Sequence, residues 1–413
     1  MNDVFTWVFL GALAAATAVR IWLALRQIRH VRAHRDAVPP TFAAAIPLAA
    51  HQKAADYTVA KARLGILEVT ITAAGLLALT LGGLLGWLHG RWAGVFPPGS
   101  LAHGTALIIT VVVLLGALEL PLTVYRTFVV EARFGFNRMT PALFIADLAK
   151  QTLLGALLGI PLLVLVLWLM ARMGASWWIY VWLAWMGFNL LVLLIYPTFI
   201  APLFNKFSPL QDPGLEGRIK ALLGRCGFRS SGLYVMDGSK RSSHGNAYFT
   251  GFAGAKRIVM FDTLLARLAP PEVEAVLAHE LGHYKRHHVW KRVAVLFVVS
   301  LALLWVLGQL IDRDWFYAGL NVSARDTATG LLLFVLVMPV FTFFLHPLTS
   351  LYSRKHEFEA DAYAAAHSSA AELVKALVKL YQDNAATLTP DPLHSAFYDS
   401  HPPAAMRIAR LQP

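Results

Sequence analysis

Seven apolar runs, each long enough to cross a bilayer as a helix, constrain this chain more than any other feature. They lie near residues 4–25, 65–88, 104–125, 152–172, 177–199, 292–311 and 329–348. A hydrocarbon core about 30 Å thick needs roughly 20 such residues per crossing. The composition agrees: 57% of residues are hydrophobic and only 15% charged, too apolar for an ordinary soluble domain. The expected fold class is a polytopic α-helical membrane protein with seven transmembrane helices. The first run follows Asp3 and precedes its positive charges, so it reads as a retained span rather than a secretory signal. The single cysteine, Cys226, excludes an intramolecular disulfide and a multi-cysteine metal cluster.

The formal net charge is +12. Nucleic acid is not the partner it implies, because the basic residues sit in short loops beside the apolar runs. Loop one carries Arg29, Arg32, Arg35, Lys53 and Lys61, and loop three carries Arg126, Arg133, Arg138 and Lys150. Loop two, "HGRWAGVFPPGSLAH", has only Arg91, and loop four is a tight turn near Gly174. Alternating basic loops are the positive-inside pattern, so the N-terminus is expected outside and the C-terminus in the cytosol, against an anionic lipid surface.

Two stretches are not membrane-like. Residues 200–291 hold an amphipathic helix from Leu215 to Cys226, stopped by Gly227. Three strand candidates follow, "GLYVMDG", "HGNAYFTGF" and "KRIVMFD", read as a small antiparallel sheet. Residues 349–413 form the second stretch. The expected division is therefore 1–199, a five-helix membrane region; 200–291, the first part of a catalytic domain; 292–348, spans six and seven; and 349–413, the rest of that domain.

The chemistry is concentrated in "EVEAVLAHELGHYKRHHVW". His279 and His283 are i and i+4 on a helix and share a face, so both imidazoles can reach one ion. Glu280 sits beside a ligand, where it can take a proton from water held by the metal. Neutral imidazoles suit zinc, whose catalytic sites use three protein ligands and one open position. His287 continues the row but lies about 12 Å from His279 along the axis, too far to converge. His287 and His288 read as interfacial or solvated. In "SRKHEFEADAYAAAH", Glu357 and Asp361 are i and i+4, while Glu359 points to another side. One of the two carboxylates can bind metal while the other holds a liganding histidine through its free N–H. An acidic, solvated helix face is the alternative.

These stretches resemble the type I CAAX prenyl endopeptidases, integral-membrane zinc metalloproteases. "HELGH" and "SRKHEFEAD" carry the resemblance, with "LPLTVYRTFVVEARFGFNRMT", "YPTFIAPLFNKFSPL", "HGNAYFTGF" and "HPPAAMRIARL" in the same order as in the family. It covers roughly residues 60–413 well and the first span loosely. The resemblance implies one zinc (Zn2+) per chain held by His279, His283 and Glu357. Glu280 would be the general base and Asp361 the acid behind a ligand. It implies seven helices enclosing a chamber, with a zincin-like α+β catalytic domain at its cytosolic end. It also implies cleavage near the C-terminus of prenylated proteins. His401 and Arg407 are candidates for stabilising the oxyanion, with a helix-start histidine packed before two prolines as the other reading of His401. Asn246, Ala247 and Tyr248 lie on a strand that a substrate can extend by backbone pairing. Equally, Gly245 marks a bulge and Asn246 serves the local turn. Glu119, in the third span, either lines the chamber or anchors its helix near Arg126.

The expected function is thus a membrane-embedded zinc endopeptidase for prenylated or otherwise hydrophobic C-termini. A quality-control zinc protease and a scaffold or transporter with a vestigial metal site are the alternatives. The Ala-, Arg- and Leu-rich composition hints at a bacterial inner membrane. Substrate identity and oligomeric state are not set by the sequence.

Overall fold

A computed structural model describes residues 2–250 and 257–412. Helices dominate it. Seven helical segments are long and apolar enough to cross a membrane: Val4–Ala33, Leu48–Leu79, Leu101–Glu131, Pro141–Arg172, Gly174–Phe204, His288–Leu310 and Thr327–His367. In chain order the helices begin with α1 (Asn2–Ala33), α2 (Leu48–Leu79), the short α3 (Leu84–Ala93), α4 (Leu101–Tyr125), α5 (Pro141–Arg172) and α6 (Trp177–Ile195). The short α7 (Ala201–Phe204) leads into strand β1 (Phe207–Pro209), α8 (Pro213–Arg225), β2 (Gly232–Met236), β3 (Ala247–Thr250), β4 (Arg257–Phe261) and α9 (Asp262–Leu265). Then come α10 (Pro270–Lys285), α11 (His288–Leu310), α12 (Asp314–Ala318), α13 (Thr327–Thr342), α14 (His346–His367), α15 (Ala370–Asp383), α16 (Pro392–Tyr398) and α17 (Ala404–Leu411).

The second span differs from the sequence expectation. It was expected over 65–88, but α2 starts at Leu48 and stops at Leu79. Gly83 at φ +76° turns the chain, and a Cβ at Gly82 would meet the Ala78 carbonyl at 2.8 Å. Thirty-two residues make a helix about 48 Å long, well beyond a bilayer core. Lys53 and Lys61 therefore lie on a helix rather than in a loop.

The amphipathic helix is present as α8. The Asp212 carboxylate accepts from the backbone N–H groups of Gly214 and Leu215 at its start, and Gly227 at φ +56° ends it. The sheet is mixed rather than wholly antiparallel, with strand order β1-β2-β4-β3. β2 and β4 run parallel, with Tyr234 opposite Val259; β3 lies antiparallel to β4 at the edge, with Tyr248 opposite Val259. Strand β1 was not anticipated. Gly251 and Phe252 of "HGNAYFTGF", and Lys256, lie outside the described residues.

One core joins the sheet and α8 to α10, α14 and α15, through Ile219, Leu222, Ile258, Met260, Leu277, Leu281, Ala364 and Ala376. Ionic contacts tie this unit together and to the membrane helices. Glu274 of α10 accepts from Arg218 and Arg225 of α8. Asp147 of α5 is gripped by Arg241 through Nε at 2.7 Å and an Nη at 3.0 Å.

The decisive packing contact is between α10 and α14. A Cβ at Gly282 would lie 2.9 Å from the Ala360 Cα and 3.1 Å from its carbonyl oxygen. These two neighbours are backbone and the third, the Tyr363 Cβ at 3.0 Å, is fixed to it, so none can swing aside. Gly282→Ala is therefore expected to destabilise the fold by about 1–3 kcal/mol, as overpacking does, and to weaken metal retention. Thermal unfolding with and without chelator, alongside zinc analysis, checks this; an unchanged midpoint and unchanged zinc would refute it.

Candidate metal centre

Helix α10 carries His279 and His283 one turn apart, and α14 presents Glu357 to them. One donor atom from each of the three lies within 4.8 Å of the other two. The two Nε2 atoms are 3.2 Å apart. Glu357 Oε2 is 3.4 Å from His279 Nε2, and Oε1 is 3.4 Å from His283 Nε2. Glu357 is 2% exposed, yet its Oε2 makes no hydrogen bond. A buried carboxylate oxygen without a donor is costly. Here it converges with two imidazole nitrogens, so the donor set fits one divalent ion with two nitrogens, one oxygen and an open position.

Both imidazoles are held from behind. Asp361 Oδ1 lies 2.9 Å from His279 Nδ1. Arg407 grips the same carboxylate through Nε at 2.8 Å and an Nη at 2.6 Å. The sequence expectation for Asp361, a carboxylate orienting a histidine, has this geometry. Arg407, expected as an oxyanion donor, is buried with its guanidinium turned onto Asp361. It is 5% exposed.

His283 has its own support, which the sequence reading missed. Its Nδ1 lies 3.0 Å from His288 Nδ1, and His288 Nε2 lies 2.9 Å from Glu359 Oε2. His288 is 1% exposed and stacks on His356. The expectation that His288 is interfacial or solvated fails because the helix row is broken. Helix α10 ends at Lys285, and His287 adopts φ 56°, which folds His288 back beside His283. His287 itself is exposed.

His401 Nε2 lies 3.4 Å from Glu357 Oε2, and its side chain is 61% exposed. It borders a cavity of about 640 Å³ lined by Arg20, Lys61, Glu68, Tyr381 and Asp399. Asn246 is exposed and its Oδ1 accepts from the Ala247 N–H at 2.8 Å. The side chain of Ala247 packs into the core with α10. Tyr248 points to the opposite face of the sheet, into a recess with Tyr234, Arg257 and Pro202. β3 leaves one backbone edge unpaired, as the outer strand of the sheet. Glu119 lies on an exposed face of α4.

The electrostatics separate the two histidines. Burial pushes His279 down, but Asp361 and Glu357 outweigh it and raise the imidazole to about 9. Burial, joined by the charge on His279, lowers His283 to about 3. Burial also pushes the Glu280 carboxyl up, although the charges of His279 and Arg407 oppose it.

The chain is similar to known proteases throughout. Residues 27–206 match a family described as CAAX prenyl protease N-terminal, five membrane helices, and residues 209–413 match peptidase family M48. CAAX prenyl protease 1 homolog of Arabidopsis thaliana is 33% identical, over 94% of this chain and 93% of the relative. The Homo sapiens homolog is 32% identical over 82% and 80%. The crystal structure of S. mikatae Ste24p superposes with a TM-score of 0.93 at 30% identity, covering 99% of both chains.

Two predictions follow from this geometry. Because His279 is protonated below about pH 9 when metal-free, zinc binding at pH 7 should release about one proton, with release fading above pH 9. Calorimetry in buffers of different ionisation enthalpy measures it; proton-neutral binding at pH 7 would contradict it. Separately, His288→Ala should weaken zinc affinity about 10–100-fold, as loss of an outer partner does, while Val289→Ala should not. Competition with a chromogenic chelator reads both.

Proposed function

The chain belongs to the CAAX prenyl protease family of M48 metallopeptidases, and from that premise we propose that it is a zinc endopeptidase that cuts hydrophobic, prenylated C-termini at the α10–α14 centre. It is an integral, multi-pass membrane protein. The observation that carries the proposal is the convergence of the buried Glu357 carboxylate with the Nε2 atoms of His279 and His283, beside Glu280. In this reading His279, His283 and Glu357 hold one zinc, which supplies a Lewis acid that polarises the scissile carbonyl and acidifies the attacking water.

The chain's own residues do the rest. Glu280 takes the proton from the attacking water and delivers it to the leaving amine. Its raised carboxyl favours that exchange near neutral pH. Asp361, locked by Arg407, fixes the His279 ring with Nε2 forward; His288 and Glu359 do the same for His283. Arg407 is thus a positioning residue. His401, exposed beside the ligands, is the donor we assign to the developing oxyanion. The edge of β3 at Asn246, Ala247 and Tyr248 pairs with the substrate backbone. The cavity beside His401 receives the substrate end next to the cut.

Residues 200–291 and 349–413 make up the catalytic domain in this reading, with 1–199 as the five-helix membrane region and 292–348 as an inserted pair of spans. The basic odd-numbered loops support a cytoplasmic face for that domain. The relatives named above are eukaryotic, so they lend no support to a bacterial inner membrane.

The test follows release of the terminal tripeptide from a farnesylated CAAX peptide by purified protein in detergent. Cleavage should stop with a chelator, and Glu280→Ala should lose about 10²–10⁴-fold while keeping its zinc. The acid limb of kcat/KM should lie above the ordinary glutamate value of 4.5, because protonated Glu280 cannot accept the water's proton. Zinc-dependent cleavage of unprenylated membrane proteins alone would favour the quality-control reading. No cleavage of either substrate would refute the proposal.

A further inference from the structure

We propose that the chain holds a second divalent transition-metal ion, of the zinc class, at His89, His103 and Asp326. This site is at the other end of the membrane bundle. His288, beside the catalytic centre, begins α11, whereas Asp326 follows the far end of α11 and caps the start of α13. The 23 residues of α11 separate the two sites, about 35 Å of helix.

One donor atom from each of the three side chains lies within 4.8 Å of the other two. His89 Nε2 is 2.7 Å from Asp326 Oδ2. The His89 and His103 rings meet edge-on with centroids 4.4 Å apart. His103 supplies the independent observation. It is 0% exposed, and its Nε2 lies 3.1 Å from the His89 carbonyl oxygen. A nitrogen facing a carbonyl must carry the proton, which leaves the lone pair on Nδ1. That Nδ1 is buried and meets no hydrogen-bond partner. An orphan acceptor in a dry interior is destabilising, and a metal ion is the partner an imidazole lone pair takes best.

The surroundings are built for rigidity. A Cβ at Gly104 would lie 2.6 Å from the Ala328 Cβ, so a glycine beside His103 lets α4 press against the start of α13. Asp326 Oδ1 accepts from the Thr329 N–H, which leaves Oδ2 for the cluster. The side chains of His89 and Asp326 are each 16% exposed, which gives an ion a path from solvent. Two imidazoles and one carboxylate without thiolate are a nitrogen–oxygen set suited to zinc and its neighbours rather than to calcium or magnesium. Bound there, the ion clips the α3–α4 turn to α13 and opens the direct His89–Asp326 contact by small side-chain rotations.

The test counts metal in the full-length protein, produced without a histidine tag, stripped with chelator, reloaded with zinc and freed of excess by gel filtration. Mass spectrometry of the element should find about two zinc ions per wild-type chain. The His279→Ala/His283→Ala variant should keep about one. Asp326→Asn and His89→Gln should each lose that other one; asparagine preserves the helix cap, so the fold is retained. About one zinc in the wild type and none in the His279→Ala/His283→Ala variant would overturn this inference and leave the proposed protease untouched. Retention of the second ion by both Asp326→Asn and His89→Gln would overturn it as well. One zinc that survives His279→Ala/His283→Ala and disappears in Asp326→Asn would support this site and remove the catalytic metal instead.

Discussion

The backbone contact between α10 and α14 at Gly282 and Ala360 is what the convergence of His279, His283 and Glu357 depends on. It sets two helices from distant parts of the chain close enough for a carboxylate on one to meet two imidazoles on the other. Gly282 stands between the two histidines in sequence, so the position that permits close approach also fixes where the ligands face. A larger residue would separate the helices at that point, because a Cβ would strike the Ala360 backbone. The sheet and α8 press on α10 from its other sides and hold it there.

Rigidity then passes to the side chains through charge. Arg407, Asp361 and His279 form a buried chain with bidentate geometry at the arginine. Removing one partner of a buried ion pair costs about 3–5 kcal/mol, so this chain has little freedom to rearrange. Its mirror on the other imidazole runs from His283 through His288 to the Glu359 carboxylate, with no arginine behind it. The two supports have different effects. Carboxylates raise His279, while burial and the neighbouring charge keep His283 neutral and ready to donate a lone pair. Glu280, between them in sequence, is pushed up by burial.

The sequence made the membrane class and the His279–His283 pair legible, because both rest on local periodicity. Helical spacing places i and i+4 on one face whatever surrounds them. The same rule put Glu357 and Asp361 together but could not say which faces both imidazoles and which sits behind His279 alone. In the structure Asp361 takes the second place, paired with Arg407 more than 40 residues further on, and that pairing is invisible to local spacing. His288 was misread for a related reason: one residue with positive φ, His287, ends a helical row that sequence periodicity would continue. The second span was displaced because the N-terminal half of α2 carries lysines and looks like loop. The parallel pairing of β2 with β4 escaped notice since strand direction is decided by a crossover, not by alternation. The pairing of Arg407 with Asp361 was likewise out of reach, because local spacing does not bring a residue of α17 to α14.

The central claim is that α10 and α14 jointly build a zinc site. Anomalous diffraction at the zinc edge from crystals of the wild-type protein tests it most directly. The account predicts a peak at the α10–α14 contact, with His279 Nε2, His283 Nε2 and a Glu357 oxygen each about 2.0–2.2 Å away. A crystal with full zinc occupancy elsewhere and no peak between those three side chains would contradict it.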